Sequence, residues 1–262
     1  MMKVLFIGDI VAKPGRDLVK KLLPNLRKKE KIDFVIANAE NLAHGRGVTA
    51  ETLDEILQSG VDFFTSGNHV FRQKDFERIL NDESFRILRP ANYPNDIPGK
   101  GFAKIELPDF TLLLINLSGV VLIKGPVSDP FRKADEILAQ YQAEKNLITI
   151  IDFHGELTSE KKALGFYLDG RVAAVLGTHT HVGTVDAGLL PKGTAYVTDV
   201  GMTGSSDSVL GVAKEIIIEN QMYPYPQKFE WEEEGRKIFN SVILDFDKNG
   251  KPKKIKRLDI LE

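Results

Sequence analysis

Histidine recurs in this chain where an apolar run stops. Five histidines are present, and His69, His154, His179 and His181 each come just after a stretch that reads as a buried strand. Asp9, Glu40, Asn41 and Asn68 stand at the same kind of place. Residues at the carboxyl ends of strands in an open α/β sheet are where ligands tend to bind. Taken singly, each also fits a polar turn, with Asn68 as a cap and His69 exposed. Taken together they form a set of oxygen and nitrogen donors brought to one sheet edge. His179 and His181 are two residues apart, so in an extended segment both rings point the same way. That arrangement could reach neighbouring cations, where the alternative is again a polar turn.

The chain has no cysteine, so any metal must be held by His, Asp, Glu and Asn. Asp9, Glu40, Asn41, Asn68, His69, His154, His179 and His181 exceed the three or four ligands that one catalytic zinc takes from protein. A pair of metals with one bridging carboxylate would use them better. Ligands without sulfur suit iron, manganese or zinc rather than Cu(I). Two metals about 3.5–4 Å apart are a device for hydrolysing phosphate esters.

The elements that must position these residues follow from the apolar pattern. Residues 4–7, 33–37, 61–65, 111–117, 147–151, 172–176 and 195–197 are short apolar runs, as buried strands should be. Residues 102–107 alternate, and Pro108-Asp109 predicts an antiparallel hairpin to the next strand. Helices are expected over 16–29, after Thr49, over 74–80, from Asp129-Pro130 to about 143, over 159–168 and over 209–220. Pro24 is expected to kink or interrupt the first of these. Thr49, with Thr52 three positions on in place of an acid, predicts only half a capping box. A short strand is expected over 183–186. Residues 239–246 and 254–261 read as strands joined by the turn Asp247-Lys248-Asn249-Gly250. No linker or repeat divides the sequence, so one domain over 1–262 is expected.

The chain of 262 residues is 42% hydrophobic and 27% charged, enough to build a substantial core. A net charge of −2 argues against a broad nucleic-acid surface. The first residues meet Asp9 too soon for a signal peptide, and no run approaches the roughly 18 apolar residues of a membrane span. The expectation is a soluble, cytoplasmic protein without a membrane partner.

Gly8-Asp9, Gly67-Asn68-His69, His154 and Gly177-Thr178-His179-Thr180-His181 resemble the ordered motifs of the calcineurin-like metallophosphoesterases. Three departures point to one branch. Val11 stands where the superfamily usually has the histidine of Asp-x-His. Asn38-Ala39-Glu40-Asn41 replaces Gly-Asp-x-x-Asp, and Val70 replaces an acid. With Asp152-Phe153-His154 and Thr198-Asp199-Val200-Gly201-Met202-Thr203-Gly204, the set resembles the bacterial YmdB-type phosphodiesterases over nearly the whole chain. The resemblance implies an α/β fold of two packed mixed β-sheets flanked by helices, a four-layer α-β-β-α arrangement. It implies a two-metal site, iron first, manganese as the alternative and zinc less favoured. It also implies hydrolysis of cyclic nucleotides, 2′,3′-cyclic and 3′,5′-cyclic ones included. Carried over by position, Asp9, Glu40, Asn41 and His181 would hold one metal. Glu40, Asn68, His154 and His179 would hold the other, with Glu40 bridging and His69 as general acid.

Other residues carry weaker readings. Asn116 could face substrate or be a structural amide. Thr203 and Gly204, in the glycine-rich 198–204 stretch, could offer backbone donors to phosphate or form a simple turn. Arg46 could meet phosphate, His44 beside it is expected to be solvated, and Asp199 could orient a ligand histidine. A phosphomonoesterase or phosphoprotein phosphatase using the same centre stays open, as does a regulator that binds a nucleotide without turnover. His69 argues against the regulator, because pure binding needs no proton donor. Homo-oligomerisation is left open.

Overall fold

The computed structural model describes residues 1–262. The chain opens with β1 (Met2–Ile7), β2 (Asp9–Ile10), α1 (Ala12–Glu30), β3 (Phe34–Asn38), α2 (Ala50–Gln58), β4 (Phe63–Thr65) and α3 (Phe76–Asn81). The middle supplies β5 (Phe102–Glu106), β6 (Thr111–Ser118), α4 (Pro130–Ala139), β7 (Leu147–His154), α5 (Thr158–Tyr167) and β8 (Ala174–Thr178). Then come β9 (Gly188–Leu189), β10 (Ala195–Val197), β11 (Met202–Ser205), β12 (Ser208–Val209), β13 (Val212–Ala213) and α6 (Lys214–Met222). The last strands are β14 (Lys237–Phe239), β15 (Ser241–Phe246), β16 (Pro252–Arg257) and β17 (Ile260–Leu261).

Two mixed sheets are formed, with strand orders β16-β15-β1-β3-β4 and β5-β6-β7-β8-β10-β9. Within them β1, β3 and β4 run parallel, as do β6, β7, β8 and β10. A small sheet, β17-β14-β11-β2, brings Asp9 beside Met202.

Period-two alternation explains why the central strands are apolar throughout. Val4 and Phe6 of β1 face the second sheet, where they join Leu112, Leu114, Ile148 and Ile150. Leu5 and Ile7 face the other way and pack on Leu18, Val19 and Leu23 of α1 and on Leu53 and Ile56 of α2. Leu113, Ile115, Ile151 and Phe153 turn outward to Ala134 and Ile137 of α4 and Leu164 of α5. The result is the expected four-layer α-β-β-α arrangement. No helix is long and apolar enough to cross a membrane.

Several local expectations are corrected. Pro24 does not interrupt α1, which starts at Ala12 and runs to Glu30. Pro24 and Lys20 lie on the exposed face, so the carbonyl that loses its donor is open to water. Thr49 and Thr52 complete a capping box, because the Thr52 hydroxyl accepts from the Thr49 N–H at 3.0 Å. Helix α4 stops at Ala139 rather than 143. Residues 183–186 do not pair as a strand; Asp186 instead accepts bonds from Thr184 Oγ1 and from Thr198. The start of the expected 209–220 helix is the hairpin β12-β13. Its turn residues Leu210 and Gly211 have φ of 55° and 97°, which suits a tight hairpin and not a helix.

Ile150 lies between the two sheets with no exposure. Ile150→Ala is expected to cost about 2–5 kcal/mol through lost burial and the cavity left behind. Urea titration should show a lower midpoint at an unchanged slope.

Candidate metal centre

The parallel strands end together, and their ends carry the polar residues. Asp9 opens β2, Glu40 and Asn41 follow β3, Asn68 and His69 follow β4, His154 ends β7, and His179 and His181 follow β8. The backbone approaches closely here. A Cβ at Gly67 would collide with Glu40 Oε2 and the His154 ring, so only glycine lets the chain pass.

Glu40 sits at the middle with 1% exposure. Its Oε2 lies 3.2 Å from His154 Nε2 and accepts the His69 N–H at 3.1 Å. Its Oε1 lies 3.2 Å from His69 Nδ1 and accepts from Asn41 Nδ2 at 3.2 Å. Asn41 reaches both ways, with Oδ1 2.9 Å from His69 Nδ1 and Nδ2 3.1 Å from His181 Nε2. His154 Nε2 also faces His179 Nδ1 at 2.9 Å. Donor atoms of Glu40, His154 and His179 all lie within 4.8 Å of one another. Asp9 stands at the edge of this group. Its Oδ2 accepts the His179 N–H at 3.2 Å, and its Oδ1 is 3.8 Å from His181 Nε2.

Two buried oxygens here, Asp9 Oδ1 and Asn68 Oδ1, have no hydrogen-bond partner. Buried polar atoms are normally satisfied, so the donor set fits cations that these oxygens would meet. The charges agree. Burial, with Glu40 and Asp199 nearby, raises Asp9 to about 8. Burial acts to lower His154, but Glu40, Asp9 and Asp152 outweigh it and push the ring up to about 9. Burial and the His154 charge push His179 down to about 3, and burial lowers His181. Burial would raise Glu40, but the His154 charge and hydrogen bonds from His154 and His69 hold it well below the carboxylate range. Positive charge is thus favoured at His154, beside Glu40, and disfavoured at His179 and His181.

A network behind the ligand-type residues was not apparent from sequence. Asp152 has no exposure and accepts from Thr65 Oγ1 at 2.5 Å, Asn38 Nδ2 at 2.9 Å and Thr178 Oγ1 at 2.7 Å. Thr178 Oγ1 is also 2.9 Å from His154 Nδ1. Since the hydroxyl donates to Asp152, it accepts from His154 Nδ1–H, which leaves Nε2 to face Glu40. Glu156, two residues past His154, is a second omission: its Oε2 lies 2.9 Å from His179 Nε2. Asn38, Asp152 and Thr178 stand in the motifs that carry the resemblance, with no role assigned there, and the only signal for Glu156 was its nearness to His154 in the chain.

The weaker readings fare differently. Asn116 is a buried strut that accepts from Ser66 N–H at 2.9 Å and has no exposure to a substrate. Thr203 and Gly204 are buried in β11 rather than in a loop, with the Thr203 carbonyl taken by Val11 N–H. Neither has a free donor facing solvent. Arg46 is exposed and stacks over the Phe229 ring at 5.7 Å, and His44 is exposed. Asp199 touches no histidine ring; it grips Thr180, between His179 and His181.

Comparison with known proteins adds a family. A family model described as YmdB-like protein matches residues 5–258. The chain is 46% identical over 258 residues to the 2′,3′-cyclic-nucleotide 2′-phosphodiesterase of Bacillus subtilis (strain 168), covering 98% of this chain and 96% of that protein. A solved hypothetical protein from Thermus thermophilus superposes with a TM-score of 0.92 at 41% identity, covering 100% of both chains. A solved structure described as a novel phosphatase from Mycoplasma pneumoniae gives 0.93 at 33% identity, covering 100% of this chain and 94% of that one.

Thr178→Val should cost about 1–3 kcal/mol by leaving Asp152 Oδ1 and the His154 Nδ1–H unpaired, while Thr178→Ser should recover most of it in urea melts. In chelator-treated protein, Asp9 and His154 both hold protons in the folded state that the unfolded chain has released. Stability should therefore fall as pH rises from 6.5 through about 8 and 9. The depressed His179 acts only below 6.5, with the opposite slope. Denaturant titrations across pH 6–10 check this.

Proposed function

This chain belongs to the YmdB-like family, and we propose that it is a metal-dependent phosphodiesterase acting on cyclic nucleotides, 2′,3′-cyclic ones first and 3′,5′-cyclic ones second. The observation that carries the reading is Glu40, buried between His154 on one oxygen and Asn41 and His69 on the other. A carboxylate so placed is suited to bridge two cations. The activity of the Bacillus subtilis relative supports the substrate class.

In this reading Asp9, Glu40, Asn41 and His181 hold one cation, and Glu40, Asn68, His154 and His179 hold the other. The unpartnered Asp9 Oδ1 and Asn68 Oδ1 then each gain a bond. The sulfur-free donors suit iron, manganese or zinc, and the order of iron first, manganese next and zinc less favoured rests on the family resemblance. Such a pair supplies positive charge at the phosphoryl group and activates water. His69 does the remaining proton work. Its Nδ1 donates to Asn41 Oδ1, since the Asn41 amide nitrogen is turned to Glu40 and His181. Its Nε2 is then the atom that delivers a proton. As water adds to phosphorus and the P–O bond to the ribose oxygen breaks, the departing oxygen takes that proton. The ring is 25% exposed by side chain, so a substrate can reach it.

His69→Ala should retain both metals by elemental analysis. It should lose about 10²–10⁴-fold in turnover of a cyclic nucleotide, the usual contribution of a general acid. The loss should shrink with an aryl phosphodiester, whose leaving group departs without a proton. Loss of metal would make His69 a ligand. Efficient aryl phosphomonoester hydrolysis without action on any cyclic nucleotide would replace the reading with a phosphatase on the same centre. A wild-type chain that holds one metal or none after reconstitution would remove the paired site.

A further inference from the structure

The turn after β8 has an improbable path. His179 and His181 have φ of 99° and 64°, the left-handed region that residues with a Cβ rarely adopt. Something outside the two rings must hold the backbone there. Lys161 of α5 supplies one part. Its side chain is 1% exposed, and it runs past Gly177 to place Nζ 2.7 Å from Thr178 O and 2.6 Å from Asp199 Oδ2. Asp199, also 1% exposed, supplies the other. Its Oδ2 accepts Thr180 N–H at 3.1 Å and Thr180 Oγ1 at 2.8 Å, and its Oδ1 accepts Gly201 N–H at 2.8 Å. Every bond of the pair that reaches this turn ends on Thr178 or Thr180, and these residues alternate with the two histidines.

A buried ion pair is a weak source of net stability, because desolvating both charges offsets most of their attraction. Well-packed apolar residues would hold α5 on the sheet equally well. What apolar packing cannot provide is direction. Three donors meeting on one carboxylate oxygen, with the ammonium also bonded to Thr178 O, fix the turn at two points.

We propose that Lys161 and Asp199 are positioning residues whose buried ion pair holds residues 178–181 in their left-handed path and so sets where the His179 and His181 rings stand. The importance of this for catalysis rests on the metal reading of the site; the positioning itself does not.

The test uses the full chain and two readouts, the imidazole Cε1–H resonances of the histidines and titration with Mn²⁺. In metal-free Lys161→Met, the His179 and His181 resonances should shift or broaden while that of exposed His44 stays. The Mn²⁺ dissociation constant should rise about 10–100-fold, as for other residues that orient metal ligands. In Lys161→Met/Asp199→Asn, the melting temperature should recover from that of Lys161→Met, but the resonances and Mn²⁺ affinity should not. Recovery of all three, or unmoved resonances in folded Lys161→Met, would overturn the proposal. Should Lys161→Met fail to fold, Thr180→Val removes one bond to Asp199 and keeps the pair. It should move the same two resonances and weaken Mn²⁺ binding several-fold, and no movement would overturn the proposal. Wild-type protein that binds no Mn²⁺ would defeat the metal reading, while the metal-free resonances would still decide this one.

Discussion

Carboxyl groups cut off from water must have their charge compensated by something inside the protein, and this constraint governs the junction of the two sheets. Asp9, Glu40, Asp152 and Asp199 are each at most 1% exposed. Stripping a carboxylate of water without compensation is costly. The chain answers differently for each. Asp152 is surrounded by the neutral donors Asn38, Thr65 and Thr178, and Asp199 has the Lys161 ammonium. Glu40 has two imidazoles. Asp9 has one backbone N–H, and its second oxygen has none. The least compensated carboxylate is therefore the one beside His181 and His179, where the proposed cations would lie. The residue types at the strand ends follow from this: Asn, Thr and His are what a buried carboxylate needs around it.

Much of this was legible in the sequence because strand interiors and strand ends differ so sharply. A run such as Ile148-Thr149-Ile150-Ile151 packs on both faces, and the first polar residues after it mark the carboxyl edge. The ligand-type residues could be gathered before any contact was known, since parallel strands bring their ends to one side. The supporting residues were not legible for the opposite reason. Lys161 looks like any helix-surface lysine, and only the packing of α5 shows that its side chain runs inward. Thr203 and Gly204 read as a loop because glycine and threonine mark turns. Thr203 pairs with Ile10 and Gly204 with Ile238, contacts between stretches far apart in the chain. The β12-β13 hairpin was hidden in the same way, its apolar residues having the spacing of a helix until a tight turn divides them.

The polar junction also does something that the apolar core between the sheets cannot. Val4, Phe6, Leu112, Leu114, Ile148 and Ile150 exclude water well, but such contacts are tolerant of small slides. Hydrogen bonds are not. Asn38 and Thr65 of the first sheet bond to Asp152 of the second, and the Ser66 N–H bonds to Asn116 of β6. A shift of one sheet past the other by a residue would strip Asp152 Oδ2 of its Asn38 and Thr65 donors at a fully buried position. Glu40 follows Asn38 by two residues and accepts no slack, because the Asn38 side chain also accepts the Glu40 N–H at 3.1 Å. His154 is tied to the same carboxylate through Thr178. Asp152 thus fixes the separation of Glu40 and His154, which come from different sheets and meet at 3.2 Å. A site that needs its ligands held to within about 0.5 Å can be built across two sheets only if something pins the sheets to that tolerance, and here the pin is a carboxylate that touches neither the proposed cations nor the substrate.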